Sequence, residues 1–181
     1  MATAKMSELE HQARLELMIK EAAGKVVFNE SIIQDNYKVT KATMHNSVKD
    51  LKDLVVYDSH SWLGDVVESY PSPVHNMDTD PYASFIHQGS DGSKGGVVYV
   101  DGTDSTARKW LAAFDAPNNK CYVECGPIGP TNWKVVEENL NQSGNLSSYN
   151  DPVLGGWAGA HVYRDPDGNV NQYHLYIAFS R

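Results

Sequence analysis

In the stretch YDSHSWLG, Asp58, His60 and Trp62 alternate along what reads as one strand face. An aspartate two residues from a histidine can orient an imidazole for general-base work. The same alternation also describes a plain solvated sheet face, so both readings stay open. The chain then runs through ESYPSPV, where Pro71 and Pro73 lack the N–H a ladder needs. The strand therefore ends in a proline corner. Trp62, Tyr70 and Tyr82 are placed to line its rim, with Trp62 either a binding surface or a plug for the end of the fold. Aromatic faces take up sugar C–H groups and quaternary ammonium heads, and Asp58 and His60 would add the polar contacts that fix orientation.

Other chemistries find less support. The seven His are scattered, without ligand spacing. His161 and His174 lie on paired strands of one hairpin, and its three-residue turn predicts opposite faces of the sheet. No G-x-S-x-G elbow occurs. Cys121 and Cys125, the only thiols, sit on an alternating strand and read as small core residues. Cys125 stands at a strand end, where a reactive thiol can be exposed. Four strand residues put the two sulfurs' positions roughly 13 Å apart, too far for a disulfide. GSDGSKGG carries Lys94 but precedes a strand, so it lacks the helix N-terminus of a phosphate loop and reads as a hairpin loop.

The elements that must position these residues can be read from periodicity. Ser7-Glu8-Leu9-Glu10 has the form of a capping box, and Leu9, Ala13 and Leu17 continue as a stripe beside Leu15, Met18, Ile19 and Ala22. This predicts an amphipathic helix over 7–23, either packed on the domain or able to detach. Residues 25–36 fit a short strand or a helical turn. From Tyr37 onward, short β-rich runs (YKVTKATM, DLVVYDSHSW, YASFIHQ, GGVVYV, KWLAAF, KCYVEC) alternate with Gly- and Asn-rich turns, which argues for a sandwich or barrel. One helix interrupts them, with Thr131 as its predicted N-cap and Trp133, Val136 and Leu140 on one face. A polar loop, NLSSYNDPVLGG, follows. The chain closes with a hairpin around Pro-Asp-Gly, in which Tyr173, Leu175, Ile177 and Phe179 alternate onto a buried face.

Composition sets the outer bounds. Fifteen Lys and Arg against 23 Asp and Glu give a net charge of -8, with no basic stripe for nucleic acid and no electrostatic pull toward anionic membranes. No apolar run reaches the ~18 residues that span a bilayer. The first residues lack the apolar core of a secretory signal. With two unpaired thiols, the expected compartment is the cytoplasm.

The order of segments, from HSWLG through SYPSPV, YASFIHQ, GSKGGVVYV and KWLAAFDAPNNKCYVECG to NWKVVEENL, resembles the plant jasmonate-induced protein family over roughly residues 40–179. It is similar, more distantly, to actinoporin-like and aegerolysin-like β-sandwiches, whose flanking helices would correspond to 7–23 and 132–142. That likeness implies recognition of a glycan or lipid headgroup, and the first implies a stress or defence setting. Actinoporins use a Tyr and Trp cluster beside the P-x-N strand, whereas APNNKCYVECGP offers only Tyr122, and the first helix is dense in charge.

Together these readings predict a mainly β chain: an actinoporin-like antiparallel sandwich over 37–181, preceded by a helical segment over 1–36 packed on it, with a second helix near 132–142. The expected function is non-enzymatic binding of a glycan or lipid headgroup at Asp58, His60, Trp62, Tyr70 and Tyr82. No catalytic residue, metal, cofactor or nucleic-acid partner is expected, and a homo-oligomer is open. The alternatives are a membrane-permeabilising protein and an enzyme using His60 with Asp58, or Cys125.

Overall fold

The computed structural model describes residues 8–48, 52–76, 81–153, 155–167 and 170–181. The chain runs α1 (Glu8–Ala22), β1 (Lys38–Ser47), β2 (Val55–Leu63), β3 (Asp65–Val66), β4 (Tyr82–Gly89), β5 (Lys94–Val100), β6 (Arg108–Asp115), β7 (Lys120–Pro127), α2 (Trp133–Asn141), β8 (Leu146–Asn150), β9 (Trp157–Arg164) and β10 (Gln172–Ser180). The strands form two facing sheets, β3-β4-β1-β10-β9-β8 and β2-β5-β6-β7. Ladder pairs are antiparallel with one exception: β1 and β10, the first and last long strands, lie parallel. A parallel pair needs a long crossover, and here almost the whole domain is the crossover.

The main core fills the space between the sheets. Leu175, Ile177 and Phe179 point inward from β10, and Tyr173 packs beside them half-buried, as the alternation predicts. They meet Tyr99, Trp110, Phe114 and Val123 from the other sheet. Cys121 and Cys125 are free thiols in this core.

Each helix covers the outer face of one sheet. α1 lays Leu15 and Ala22 on Trp157, Tyr176 and Ala178 of the six-stranded sheet. The Trp157 indole N–H donates to His11 Nδ1 at 2.6 Å, and the Arg14 guanidinium lies 4.3 Å from the Trp157 ring centroid. The packed face is thus His11, Leu15, Met18 and Ala22. The predicted stripe of Leu9, Ala13 and Leu17 instead faces solvent, with Leu9 78% and Leu17 59% exposed. Ser7 of the capping box lies outside the described residues. α2 presses Val136 and Leu140 onto Val98, Leu111 and Ala113 of the four-stranded sheet. Its N-cap is Asn132, whose side chain accepts from Val135 N–H, not Thr131.

Local corrections follow the same logic. The 25–36 segment holds a single 3-10 turn, Glu30–Ile32, tied down by Lys41 Nζ donating to Glu30 Oε1 at 2.6 Å. The first part of the predicted polar loop is the edge strand β8, drawn into the sheet by pairing with β9. The loop expected over GSDGSKGG is shorter, because Lys94, Gly95 and Gly96 already belong to β5. The last hairpin's Pro-Asp-Gly turn lies partly outside the described residues.

Candidate functional site

β2 is an edge strand with two irregularities in its register against β5, between Val56 and Asp58 and between Ser61 and Leu63. Such bulges re-aim side chains. Asp58, His60 and Trp62 stand on the outer face of the four-stranded sheet, where Trp62 joins the cluster under α2. A residue that the helix periodicity assigned to packing completes the group: Trp133, the first residue of α2. Its indole N–H donates to Asp58 Oδ2 at 3.0 Å. The His60 and Trp133 rings stack with centroids 5.7 Å apart and an interplanar angle of 23°. Trp62 stands edge-on to both, 5.0 Å from His60 and 5.9 Å from Trp133. The result is a corner of two near-parallel rings and one upright ring, with His60 exposed and both indoles half-buried.

Glycine makes the corner possible. Gly96 pairs with His60 in the ladder, and a Cβ there would lie 2.7 Å from Trp133 Cζ3. Only a residue without a side chain lets the indole settle on the strand. The fourth side of the corner is charged: Lys94 Nζ sits 5.7 Å from the Trp62 centroid and is held by Glu137 Oε2 at 2.7 Å and Asn141 Oδ1 at 3.1 Å.

Two of the residues grouped with Trp62 by sequence are elsewhere. Tyr70 is 8% exposed and packs between the sheets, edge-on to Phe85 at 4.9 Å. The proline corner turns it inward. Tyr82 belongs to β4, a strand of the other sheet, and stacks on His45 at 4.6 Å on that sheet's outer face. The residues that the structure brings together are therefore Asp58, His60, Trp62 and Trp133. Trp62 is not a plug, since it lies outside the sandwich and keeps part of its surface.

The catalytic alternatives meet specific obstacles. Asp58 gives its two oxygens to Trp133 and to the Ser59 N–H, so it does not orient His60. Burial pushes the Cys125 thiol up to about 11 and Cys121 up to about 12, which leaves the nucleophilic thiolate scarce at neutral pH. One residue from Trp62, Ser61 points into the sandwich and meets His87 Nε2 at 3.1 Å. His87 Nδ1 lies 2.8 Å from Ser93 Oγ, which lies 2.7 Å from Thr40 Oγ1 and donates to the His87 carbonyl at 3.0 Å. Where Ser93 gives its proton to that carbonyl, His87 Nδ1 carries the ring proton and Nε2 accepts from Ser61. Burial lowers His87 to about 4, against the opposing pull of Asp65. This chain of polar groups ties β1, β2, β4 and the loop before β5 together inside the fold. His161 and His174 share the outer face of the six-stranded sheet, contrary to expectation, because β9 and β10 pair His161 with Tyr176 and Tyr163 with His174. Tyr163 stands between the two imidazoles, at 5.3 and 5.5 Å. No cluster of three or more His, Cys, Asp or Glu suited to a metal occurs among the described residues.

Solved structures share this architecture. The lipid-binding protein Nakanori superposes with a TM-score of 0.57 at 16% identity, over 96% of this chain and 82% of its own. The lectin XCL of Xerocomus chrysenteron superposes with a TM-score of 0.54 at 10% identity, over 80% of this chain and 99% of its own. The fold is the β-sandwich of these two proteins. No protein-family model and no curated protein matches the chain, so the resemblance to the jasmonate-induced family has no support from either comparison. No helix among the described residues is long and apolar enough to cross a membrane.

Proposed function

We propose that this chain is a non-enzymatic binding protein that holds a sugar ring of a glycan at the corner of His60, Trp62 and Trp133. The observation that carries the reading is the three-ring arrangement with a carboxylate at its base. Indole and imidazole faces match the C–H face of a pyranose, and Asp58 keeps acceptor capacity for a hydroxyl. A quaternary ammonium head suits the corner less well. The Lys94 ammonium already occupies the cation position over Trp62, so a second cation there meets like-charge repulsion. The resemblance to jasmonate-induced proteins adds a stress or defence setting to the same reading.

A second reading has one observation in its favour. The solvent-facing stripe of Leu9 and Leu17 on α1 gives a lipid surface something to bury.

The test is a glycan array followed by titration of the best sugar, read by tryptophan fluorescence, with dye-filled phosphatidylcholine vesicles assayed in parallel. His60→Ala and Asp58→Asn should each weaken sugar binding about tenfold or more and leave the melting temperature within a few degrees. Absence of any glycan hit, or hits that both variants retain, refutes the reading. Dye release at micromolar protein would move the assignment to the membrane.

A further inference from the structure

At the β7 and β8 edge of the fold, away from β2, α1 and β8 flank a half-open cleft of about 560 Å³. That is within the ~300–1,000 Å³ range of small-molecule sites. We infer that this cleft is a second carbohydrate site, independent of the aromatic corner and suited to a neutral disaccharide or longer sugar.

The chemistry of the walls selects the ligand. α1 contributes the Gln12 amide and the Glu16 carboxylate, which bond each other at 3.1 Å. The turn into β8 and the strand itself contribute Asn145 and the hydroxyl of Ser148, and β9 contributes His161. Tyr122 supplies one aromatic wall, its hydroxyl already spent on Glu124 at 2.7 Å. The lining holds no Lys or Arg, so a phosphate or carboxylate ligand would go uncompensated. Leu146 joins Tyr122 on its apolar side, so the walls are mixed, as the two faces of a sugar ring are. An array of amide, hydroxyl, carboxylate and imidazole groups beside one ring is what a polyhydroxylated ring needs. An added peptide strand is disfavoured for a structural reason. The outer edge of β8 is turned toward β7: Val123 N–H donates to Ser147 Oγ at 3.1 Å, and Cys121 N–H donates to the Gly144 carbonyl at 3.0 Å.

His161 is the second observation. Its Nδ1 is covered and has no hydrogen-bond partner among the described residues. Buried polar atoms are ordinarily paired, so an unpaired one calls for an explanation. Tyr163 touches the ring at 5.3 Å, and no hydrogen bond among the described residues holds Nδ1, so a turn about Cβ–Cγ can bring that nitrogen to a ligand hydroxyl. Burial lowers the imidazole's pKa, with Glu16 opposing. A neutral ring offers one donor and one acceptor, the pairing that adjacent sugar hydroxyls use.

Gly144 provides a clean plug. A Cβ there meets nothing within 4 Å, and its backbone is not in the left-handed region. Gly144→Trp should therefore fill the cleft without straining the fold. The experiment records amide and imidazole NMR spectra of the full chain with millimolar lactose, cellobiose, mannobiose and chitobiose. The expected result is that at least one disaccharide shifts Gln12, Asn145, Ser148 and the His161 ring. Gly144→Trp and His161→Ala should weaken those shifts at least tenfold, and His60→Ala should leave them intact. Shifts confined to β2 and α2, shifts that survive Gly144→Trp, or no shifts with any of the four sugars would overturn the inference. Confinement to β2 and α2 would still support the aromatic corner, so the two assignments fail separately.

Discussion

Replacing His87 with Gln tests the buried polar chain through its pH dependence. His87 is fully buried between the sheets and titrates near 4 in the folded chain against an ordinary value of 6.5. Between those values the unfolded chain binds a proton that the folded chain refuses. Stability therefore rises with pH across that window: the contribution is complete above about 6.5 and is lost as pH falls toward 4. The gap corresponds to about 3 kcal/mol at full effect. Gln keeps a donor and an acceptor for Ser61 and Ser93 but does not titrate. Its own packing cost is constant across pH and drops out of a comparison of slopes. His45, His161 and His174 are also lowered by burial and act with the same sign. They are present in both proteins and cancel in the difference. Urea unfolding at pH 7, 6, 5 and 4, followed by tryptophan fluorescence, gives the two stability curves. The wild-type chain should lose about 3 kcal/mol more than His87→Gln over that range. Curves that stay parallel within about 0.5 kcal/mol would show that His87 does not resist protonation, and the Ser61–His87–Ser93 chain would lose its physical basis.

Other expectations follow from packing. Phe179 sits in the core against Trp110 at 5.6 Å, so Phe179→Ala should cost roughly 3–5 kcal/mol, and a loss under 1 kcal/mol would mean that β10 does not hold this register. Gly96→Ala drives a methyl into the Trp133 indole; it should cost about 1–3 kcal/mol and weaken sugar binding more than His60→Ala does, and an unaltered Trp133 environment by fluorescence would refute the close approach. Both thiols should resist a thiol reagent in the native chain and both should react in urea without reductant; fast labelling of native Cys125 would reopen the thiol chemistry.

Period-2 patterning was enough to place the last strand, because Tyr173, Leu175, Ile177 and Phe179 all sit on one face of a half-buried element. It was not enough to decide which sheet a strand joins. The sequence pattern sets Tyr82 beside Trp62 on the rim of the proline corner, yet β4 pairs with β1 and β2 pairs with β5, which sends the two outward faces in opposite directions. Helical periodicity had a similar blind spot. In α1, Leu9, Ala13 and Leu17 form as regular a stripe as His11, Leu15 and Ala22. Trp157, far along the chain, decides between them by receiving Leu15 and bonding His11.

Trp133 is the member of the corner least legible in the sequence, since it bonds Asp58 across 75 positions. A local trace of it nevertheless exists. The dipeptide Gly95-Gly96 reads as the tail of a hairpin loop, but both residues lie in β5. Glycine inside a strand weakens it and marks a close approach from one side. Here there are two approaches, on opposite faces. A Cβ on Gly95 would stand 2.9 Å from His87 Nε2 inside the sandwich, and one on Gly96 would stand 2.7 Å from Trp133 Cζ3 outside it. Two adjacent glycines in a run that continues as VVYV are thus the mark of two rings pressing on one strand, the buried imidazole of the polar chain and the indole of the aromatic corner. Because successive residues face opposite ways, substituting either glycine should disturb its own side of the strand: Gly95→Ala the acid stability that His87 governs, with Phe114 Cζ also 3.2 Å from the added methyl, and Gly96→Ala the sugar binding proposed for the Trp133 corner.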